Sequence, residues 1–309
     1  MKHVVFGTGP VGTALADYLA ASGEKVSAVN RSGRAHTSSS VEVIAGDATD
    51  APFAQAVADG AAVVYQCLGA PYTKWHELFP PMQAAVLSAA RQAGAKLVSF
   101  ENLYVYAPTG GEPVTEDLPL AATGKKSKLR ADMIRDLIAA HAAGDVRVTM
   151  GRASDFFGPR ALITHMGERV FYPAIAGKKA QVMGNPDQLH TFSYVGDIAK
   201  GLATLGFDDR ADGKAWHLPN PPTVSIREFI GKVYEAVGTE AGLAAMPRFM
   251  VNLMGIFNSD LAEIKEVLYQ FEDPFIVDSS SFESTFGMTA TPLDEAISAT
   301  VAWFRANPR

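Results

Sequence analysis

The run Val4-Val5-Phe6 feeds directly into the turn Gly7-Thr8-Gly9-Pro10-Val11-Gly12, and helical apolar spacing follows at Val11, Leu15, Tyr18 and Leu19. A strand, a glycine turn and a helix in that order form the context in which such a turn holds phosphates. Gly7 takes a backbone angle that a side chain would forbid. Gly9 lets a pyrophosphate approach the main chain, and Gly12 lets the helix pack on the strand. Val11 starts that helix directly after Pro10, and its free amides and positive dipole end face the phosphates. These five residues therefore mark a dinucleotide site, with a plain strand-turn-helix as the alternative.

Outward from the turn, strand-like and helix-like runs alternate through the first half of the chain. The strands are expected at residues 3–6, 25–29, 41–45, 62–68, 96–101 and 146–152, and the helices at 11–21, 53–59, 81–93 and 127–143. This rhythm predicts an α/β fold: a Rossmann-type, doubly wound parallel sheet with right-handed crossovers. Beyond Arg152 the chain is richer in proline, glycine and aromatic residues. Helices are expected there at 195–205, 225–237, 248–257, 260–271 and after Pro292. The resulting division is a nucleotide-binding domain over 1–155, with a returning segment near 189–218, and a smaller, mostly helical substrate lobe over 156–309. Met and Phe residues near 246–257 read as core packing or as an apolar substrate pocket.

At 309 residues with 48% hydrophobic content, the chain can bury one large core with an appended lobe. The formal net charge of -6 speaks against a nucleic-acid surface. No run reaches the roughly 20 apolar residues of a membrane span, and the first apolar stretch is too short for a signal peptide, so a cytoplasmic protein is expected. The one cysteine, Cys67, has no internal disulfide partner, and the seven histidines lack zinc-ligand spacing, so no metal is expected.

The second strand ends in Asn30-Arg31-Ser32-Gly33-Arg34. A turn specific for NAD would carry an acid there for the ribose hydroxyls. Arg31, Ser32 and Arg34 instead suit a 2'-phosphate, which favours NADP, used as NADPH; a solvated basic loop is the bland reading. After the third strand, Asp47 is placed to accept from the adenine amino group, or else to shape the turn or cap the next helix.

Taken together the motifs resemble the extended and atypical short-chain dehydrogenase/reductase superfamily, which includes sugar-nucleotide epimerases and dehydratases. The likeness rests on the glycine turn, Gly46-Asp47, Cys67-Leu68-Gly69, Tyr104-Val105-Tyr106, Phe157-Gly158-Pro159-Arg160 and Thr191-Phe192-Ser193-Tyr194-Val195-Gly196-Asp197. It covers nearly the whole chain and implies Leu68 and Gly69 at the cofactor. It also implies a homodimer through sheet-flanking helices.

The catalytic segment departs from the family pattern. Members carry a Ser or Thr after the fifth strand and Tyr-x-x-x-Lys on the next helix. Here Lys128 matches the lysine, which grips the nicotinamide ribose, but Gly124 stands in the tyrosine position and Asn102 in the Ser/Thr position. Glycine has no group that transfers a proton. Asn102 offers an amide that polarises a carbonyl. Tyr104, two residues on, faces the same side if the strand continues, and with Lys128 nearby its phenol is the candidate proton donor. Lys125 and Lys126 offer further cations. Tyr72, Trp75, Asp155, Phe156 and Phe157, with the long connection 107–123, are the expected substrate frame.

Three functions fit these residues. The leading one is an NADPH-dependent reductase of a small, apolar carbonyl compound or activated double bond. The others are an epimerase or dehydratase with transient oxidation by NAD(P), and a catalytically silent NADP-binding sensor.

Overall fold

The structure is a computed structural model that describes residues 1–254, 263 and 265–309. The chain forms two compact units. The first comprises 1–105, 125–153 and 198–218, and the second 106–124, 154–197 and 219–309.

The first unit is built on a seven-stranded sheet. Its strands are β1 (Lys2–Phe6), β2 (Lys25–Asn30), β3 (Val41–Ala45), β4 (Val63–Gln66), β5 (Lys96–Glu101), β6 (Val148–Arg152) and β11 (Ala215–His217). They lie in the order β11-β6-β5-β4-β1-β2-β3, and every neighbouring pair is parallel. The strand order reverses beside β1, which puts a crevice at the carboxyl end of that strand, where α/β sheets bind ligands. Strands buried on both faces read as unbroken apolar runs, and Val4, Val5, Phe6, Val63, Val64 and Tyr65 are all buried.

Four helices complete the crossovers: α1 (Pro10–Ala21), α2 (Ala51–Ala58), α3 (Trp75–Ala93) and α4 (Lys125–Ala142). Asp50 caps α2 by accepting from the Phe53 amide, so the cap is Asp50 and not Asp47. The expected start of α3 at residue 81 is six residues late. Pro80 and Pro81 lie inside the helix, and Trp75, Phe79 and Met82 bury one face at helical spacing around them. Tertiary burial outweighs the two lost amide donors.

The second unit carries two-residue strands β7 (Phe156–Phe157), β9 (Leu189–His190), β10 (Ser193–Tyr194) and β12 (Val224–Ser225), and the parallel pair β8 (Ala180–Met183) and β13 (Leu243–Met246). Its helices include α5 (Glu168–Ile175), α7 (Ile226–Val237), α8 (Arg248–Met254) and two more at Ser280–Phe286 and Leu293–Ala306. Helix α6 (Val195–Phe207) begins in this unit and runs on into the first. The core of the second unit gathers Phe157, Phe171, Phe192, Phe229, Ile230, Val233 and Phe304.

One element was missed here, and one expectation lies partly outside the described residues. Helix α5 contains Pro173, which obscured it, yet it buries Val170, Phe171 and Ala174. The helix expected at 260–271 lies partly outside the described residues, as do residues 255–257 of the Met-rich stretch; the described end of the former is a 3-10 turn at Leu268–Phe271. On α8, Val251 is buried while Phe249, Met250, Leu253 and Met254 are exposed. The connection 107–123 is pinned through Val114, whose amide donates to Ile276 O at 2.7 Å and whose carbonyl accepts from Asp278 N at 3.0 Å.

Candidate active site

The glycine turn has the shape its sequence implies. Gly7 stands at φ +104°, and a Cβ there would lie 2.3 Å from the Cys67 carbonyl oxygen. A Cβ on Gly12 would lie 2.0 Å from the Gly7 oxygen, so the turn, α1 and the chain after β4 close on one another without side chains. Gly9 differs, because nothing lies within 4 Å of its Cβ position. The Gly9 cap of α1 has no side-chain partner, and the first turn holds no acid. Open space over uncapped amides at Val11 and Gly12, with Pro10 at the first helical position, is a cradle for a pyrophosphate.

Asn30 organises the neighbouring loop. Its Nδ2 donates to Thr8 Oγ1 at 2.6 Å and to Arg34 O at 2.8 Å, while its Oδ1 accepts from Ser32 N at 2.9 Å and Gly33 N at 2.7 Å. The loop is thereby latched to the glycine turn. Arg31, Ser32 and Arg34 are exposed on it, and among the described residues neither guanidinium makes a hydrogen bond or ion pair. Asp47 is exposed and accepts from Thr49 N and Thr49 Oγ1, both at 2.9 Å. The Thr49 amide, its hydroxyl and the Arg31 charge hold this carboxyl below the usual range. Leu68 is partly exposed, and Gly69 has open space where a Cβ would stand. These residues fit a nicotinamide dinucleotide.

At the end of β5 the expected extension fails. The strand stops at Glu101, and the chain turns through residues 103–106 with Asn102 Oδ1 accepting from Tyr104 N at 3.2 Å. Tyr104 therefore owes its direction to this turn and not to a pleat. Its hydroxyl lies 2.8 Å from that of Tyr72. Trp75 stacks on Tyr72 at 5.1 Å between ring centroids and on Tyr104 at 5.9 Å, and its indole N–H donates to Ala70 O. Residues singled out from two separate stretches thus form one aromatic cluster. The cation beside it is the buried Lys126, with Nζ 5.8 Å from the Tyr72 ring centroid, whereas Lys128 is exposed.

A buried polar row at the carboxyl end of the sheet went unread in the sequence. Glu101, Arg152 and His217 are register partners across β5, β6 and β11, and all three are buried. Arg130 of α4 forms an ion pair with Glu101 and lays its guanidinium 4.7 Å from the Phe79 ring centroid. The Ser99 hydroxyl donates to the other Glu101 oxygen. The available signal was a charged residue ending an apolar strand run, which demands a buried partner.

Asp155, Phe156 and Phe157 belong to the second unit. Phe157 is wholly buried against Phe229, so its ring serves the core, a correction to its expected place in the substrate frame. Asp155 lies 3.2 Å from His190 Nε2. The Glu266 side chain fills the space beside Gly124: a Cβ there would lie 2.0 Å from Glu266 Oε1.

The family model of the NAD dependent epimerase/dehydratase family matches residues 4–215. The chain belongs to that family. This is a family of NAD-dependent enzymes, and the membership backs the epimerase or dehydratase expectation better than the reductase one. A dTDP-glucose 4,6-dehydratase of Streptomyces griseus is 23% identical over 223 residues, which span 72% of this chain and 62% of that relative's length. Among solved structures, an epimerase of Methanothermobacter thermautotrophicus superimposes with a TM-score of 0.81 at 18% identity, covering 99% of this chain and 92% of its own. A UDP-glucuronic acid 4-epimerase of Bacillus cereus in complex with NAD gives 0.78 at 16% identity, with 99% of both chains covered. At these identities the likeness establishes the Rossmann-type fold. Among the described residues, no helix is long and apolar enough to cross a membrane.

Proposed function

We propose that this chain binds NADP(H) and acts on a hydroxyl- or carbonyl-bearing small molecule in the redox-neutral manner of epimerases and dehydratases. The observation that carries the reading is the family match over residues 4–215, joined to a glycine turn left open at Gly9. The relatives' names make a sugar nucleotide the first substrate class to test. When bound, the dinucleotide supplies a hydride acceptor and donor. Around it the chain's own groups divide the work. Gly7, Gly9, Pro10, Val11 and Gly12 hold the phosphates; Arg31, Ser32 and Arg34 select the 2'-phosphate; and Leu68 and Gly69 border the ring. Lys128 grips the ribose, as the resemblance implies. Asn102 polarises the carbonyl, and the Tyr104 phenol, hydrogen-bonded to Tyr72, moves a proton. A cytoplasmic homodimer belongs to the same proposal, and sedimentation reads the assembly.

One observation favours a second reading, an NADPH-dependent reductase of a small apolar carbonyl compound or activated double bond. The Tyr72, Trp75 and Tyr104 cluster is a better wall for such a substrate than for a sugar. The deciding experiment incubates the purified chain and NAD(P) with dTDP-glucose and UDP-glucuronic acid, and separately incubates it and NADPH with a carbonyl and enone panel. New sugar products without net cofactor consumption support the first reading. Consumption of NADPH by the panel replaces it with the second, and tight NADPH binding without either turnover leaves the sensor.

A further inference from the structure

The turns that follow β4 and β5 bring two phenols together. Tyr72 opens a single 3-10 turn, Tyr72–Lys74, that leads into α3, and Tyr104 lies in the turn after Glu101. Both side chains are half-buried, and their hydroxyl oxygens are 2.8 Å apart. Trp75 fixes the pair from behind. Its ring stacks on Tyr72 and on Tyr104 with interplanar angles of 12° and 15°. The indole is itself held, by Ala70 O accepting from its N–H at 3.1 Å and by Phe79 edge-on at 5.1 Å. Neither phenol can swing aside without leaving the indole.

All of these residues belong to the first unit, as does the glycine turn. The path between them is short. Strand β4 pairs with β1, the Cys67 carbonyl that follows β4 is the oxygen against Gly7, and Ala70, three residues on, holds Trp75. The phenol pair thus stands at the same carboxyl end of the sheet as the dinucleotide cradle.

Two hydroxyls at this distance do not ionise independently. Once one proton leaves, the other is held between the two oxygens in a charge-assisted hydrogen bond, roughly twice as strong as a neutral one. A nearby cation favours the same anion. The buried Lys126 of α4 supplies one, 5.8 Å from the Tyr72 ring centroid. Other charged groups around the pair are matched among themselves: Arg130 with Glu101 behind Phe79, and Lys74 with Glu77 at the exposed start of α3. An unassisted phenol keeps its proton far above neutral pH and is a poor acceptor of a substrate proton.

We propose that Tyr72 is a positioning residue for Tyr104: the two phenols share one proton and ionise as a unit, at lower pH than a lone phenol, and Tyr104 meets the substrate as part of that anion. The proposal rests on the reading that Tyr104 moves a proton. In the step, a substrate O–H bond breaks, a Tyr104 O–H bond forms and the electron pair stays on the substrate oxygen; the reverse returns the proton. Tyr72 keeps its own proton on the Tyr104 side throughout and donates to the Tyr104 oxygen while that oxygen is charged.

Two measurements on the full chain test the pair. Carbon-13 NMR of the chain labelled at tyrosine Cζ, without dinucleotide or substrate, follows each phenol against pH, with Tyr72→Phe and Tyr104→Phe giving the assignments. In wild type the two signals are expected to move together in one first ionisation. In Tyr72→Phe, whose ring can still stack on Trp75, the Tyr104 ionisation should rise by about 1–2 pH units, the worth of one hydrogen bond to a charged group. The second measurement is kcat against pH with dTDP-glucose or UDP-glucuronic acid. Tyr72→Phe should displace the rising limb upward by the same amount, so that kcat falls about 10- to 100-fold below the limb and recovers at high pH. Wild-type signals that ionise separately, a Tyr104 ionisation unmoved in Tyr72→Phe, or a loss of kcat equal at every pH overturns the positioning role and leaves the proposed function standing. A wild type that turns over neither sugar overturns the proposed function itself, and with it the role of the pair in turnover.

Discussion

Gly9 and Gly12 are equivalent letters in the motif, yet a methyl group at each should fail in a different assay. At Gly12 a Cβ would lie 2.0 Å from the Gly7 oxygen and 3.0 Å from its carbonyl carbon, both main-chain atoms with no freedom to rotate away. The Gly12 backbone is helical, so alanine brings overlap and no dihedral strain, and overpacking of this kind costs about 1–3 kcal/mol of stability. At Gly9 the added methyl meets nothing within 4 Å. Its φ of -67° and ψ of -174° are extended backbone that alanine adopts freely. Alanine is a poorer cap than glycine by roughly 0.5 kcal/mol, and the stiffer unfolded chain returns about 0.4–1 kcal/mol, so stability should hardly move.

The methyl at position 9 does fill the space over the first turn of α1. The same overlap of about 1–3 kcal/mol then falls on the bound pyrophosphate, which weakens the dinucleotide roughly 5- to 150-fold. Denaturant unfolding and fluorescence titration with NADPH separate the cases. Gly12→Ala should lower the unfolding midpoint, whereas Gly9→Ala should keep the wild-type midpoint and lose affinity. A Gly9→Ala variant that binds within twofold of wild type, or that is as unstable as Gly12→Ala, would refute the assignment of that space to the ligand.

Arg31→Asp should weaken NADPH much more than NADH, and equal losses for both would remove the 2'-phosphate assignment. Tyr104→Phe deletes the hydroxyl 2.8 Å from Tyr72 and should reduce kcat with little change in dinucleotide affinity; an unchanged rate excludes Tyr104 from the chemistry. Arg130→Met leaves Glu101 buried without its cation and should cost about 3–5 kcal/mol in denaturant unfolding, a loss below 1 kcal/mol counting against the pair as seen. Burial lowers the His165 imidazole from 6.5 to about 4, so the unfolded chain takes up the proton first. The stability this neutral ring provides is complete above pH 6.5 and falls away toward pH 4, by about 3 kcal/mol in all, and His165→Gln should flatten that limb of the unfolding free energy against pH.

The parallel sheet was legible because its strands are buried on both faces and so appear as continuous apolar runs, and because most are followed by a helix with its own spacing. The six expected strands pair in the order their crossovers require. The seventh, Ala215–His217, is three residues long and takes its identity from β6, which no local pattern announces. The start of α3 was hidden for the opposite reason: Pro80 and Pro81 carry a strong local signal that burial of Trp75 and Phe79 overrules. At the site, motif residues were legible wherever the backbone does the work, as at Gly7, Gly9 and Gly12. Where side chains do it, spacing misled. The strand was expected to carry Asn102 and Tyr104 on one side, but the chain turns after Glu101, and the cation at the Tyr72–Tyr104 pair is Lys126.

Position 124 shows why that second kind of residue cannot be read one motif at a time. Its glycine looks like the plain loss of a tyrosine, yet the first atom of any side chain there would overlap the Glu266 carboxylate, more than a hundred residues further along the chain. A residue with a side chain at 124 must therefore move the Glu266 side chain aside, so the space left by the motif's tyrosine is filled. The second unit sets further polar groups together: Glu266 against Gly124, Asp155 against His190, and Tyr269 donating to the Tyr106 carbonyl at 3.0 Å. The Tyr269 phenol is raised above its usual range by burial, with the charges of Glu266 and Asp155 adding to it, which ties these carboxylates to one neighbourhood.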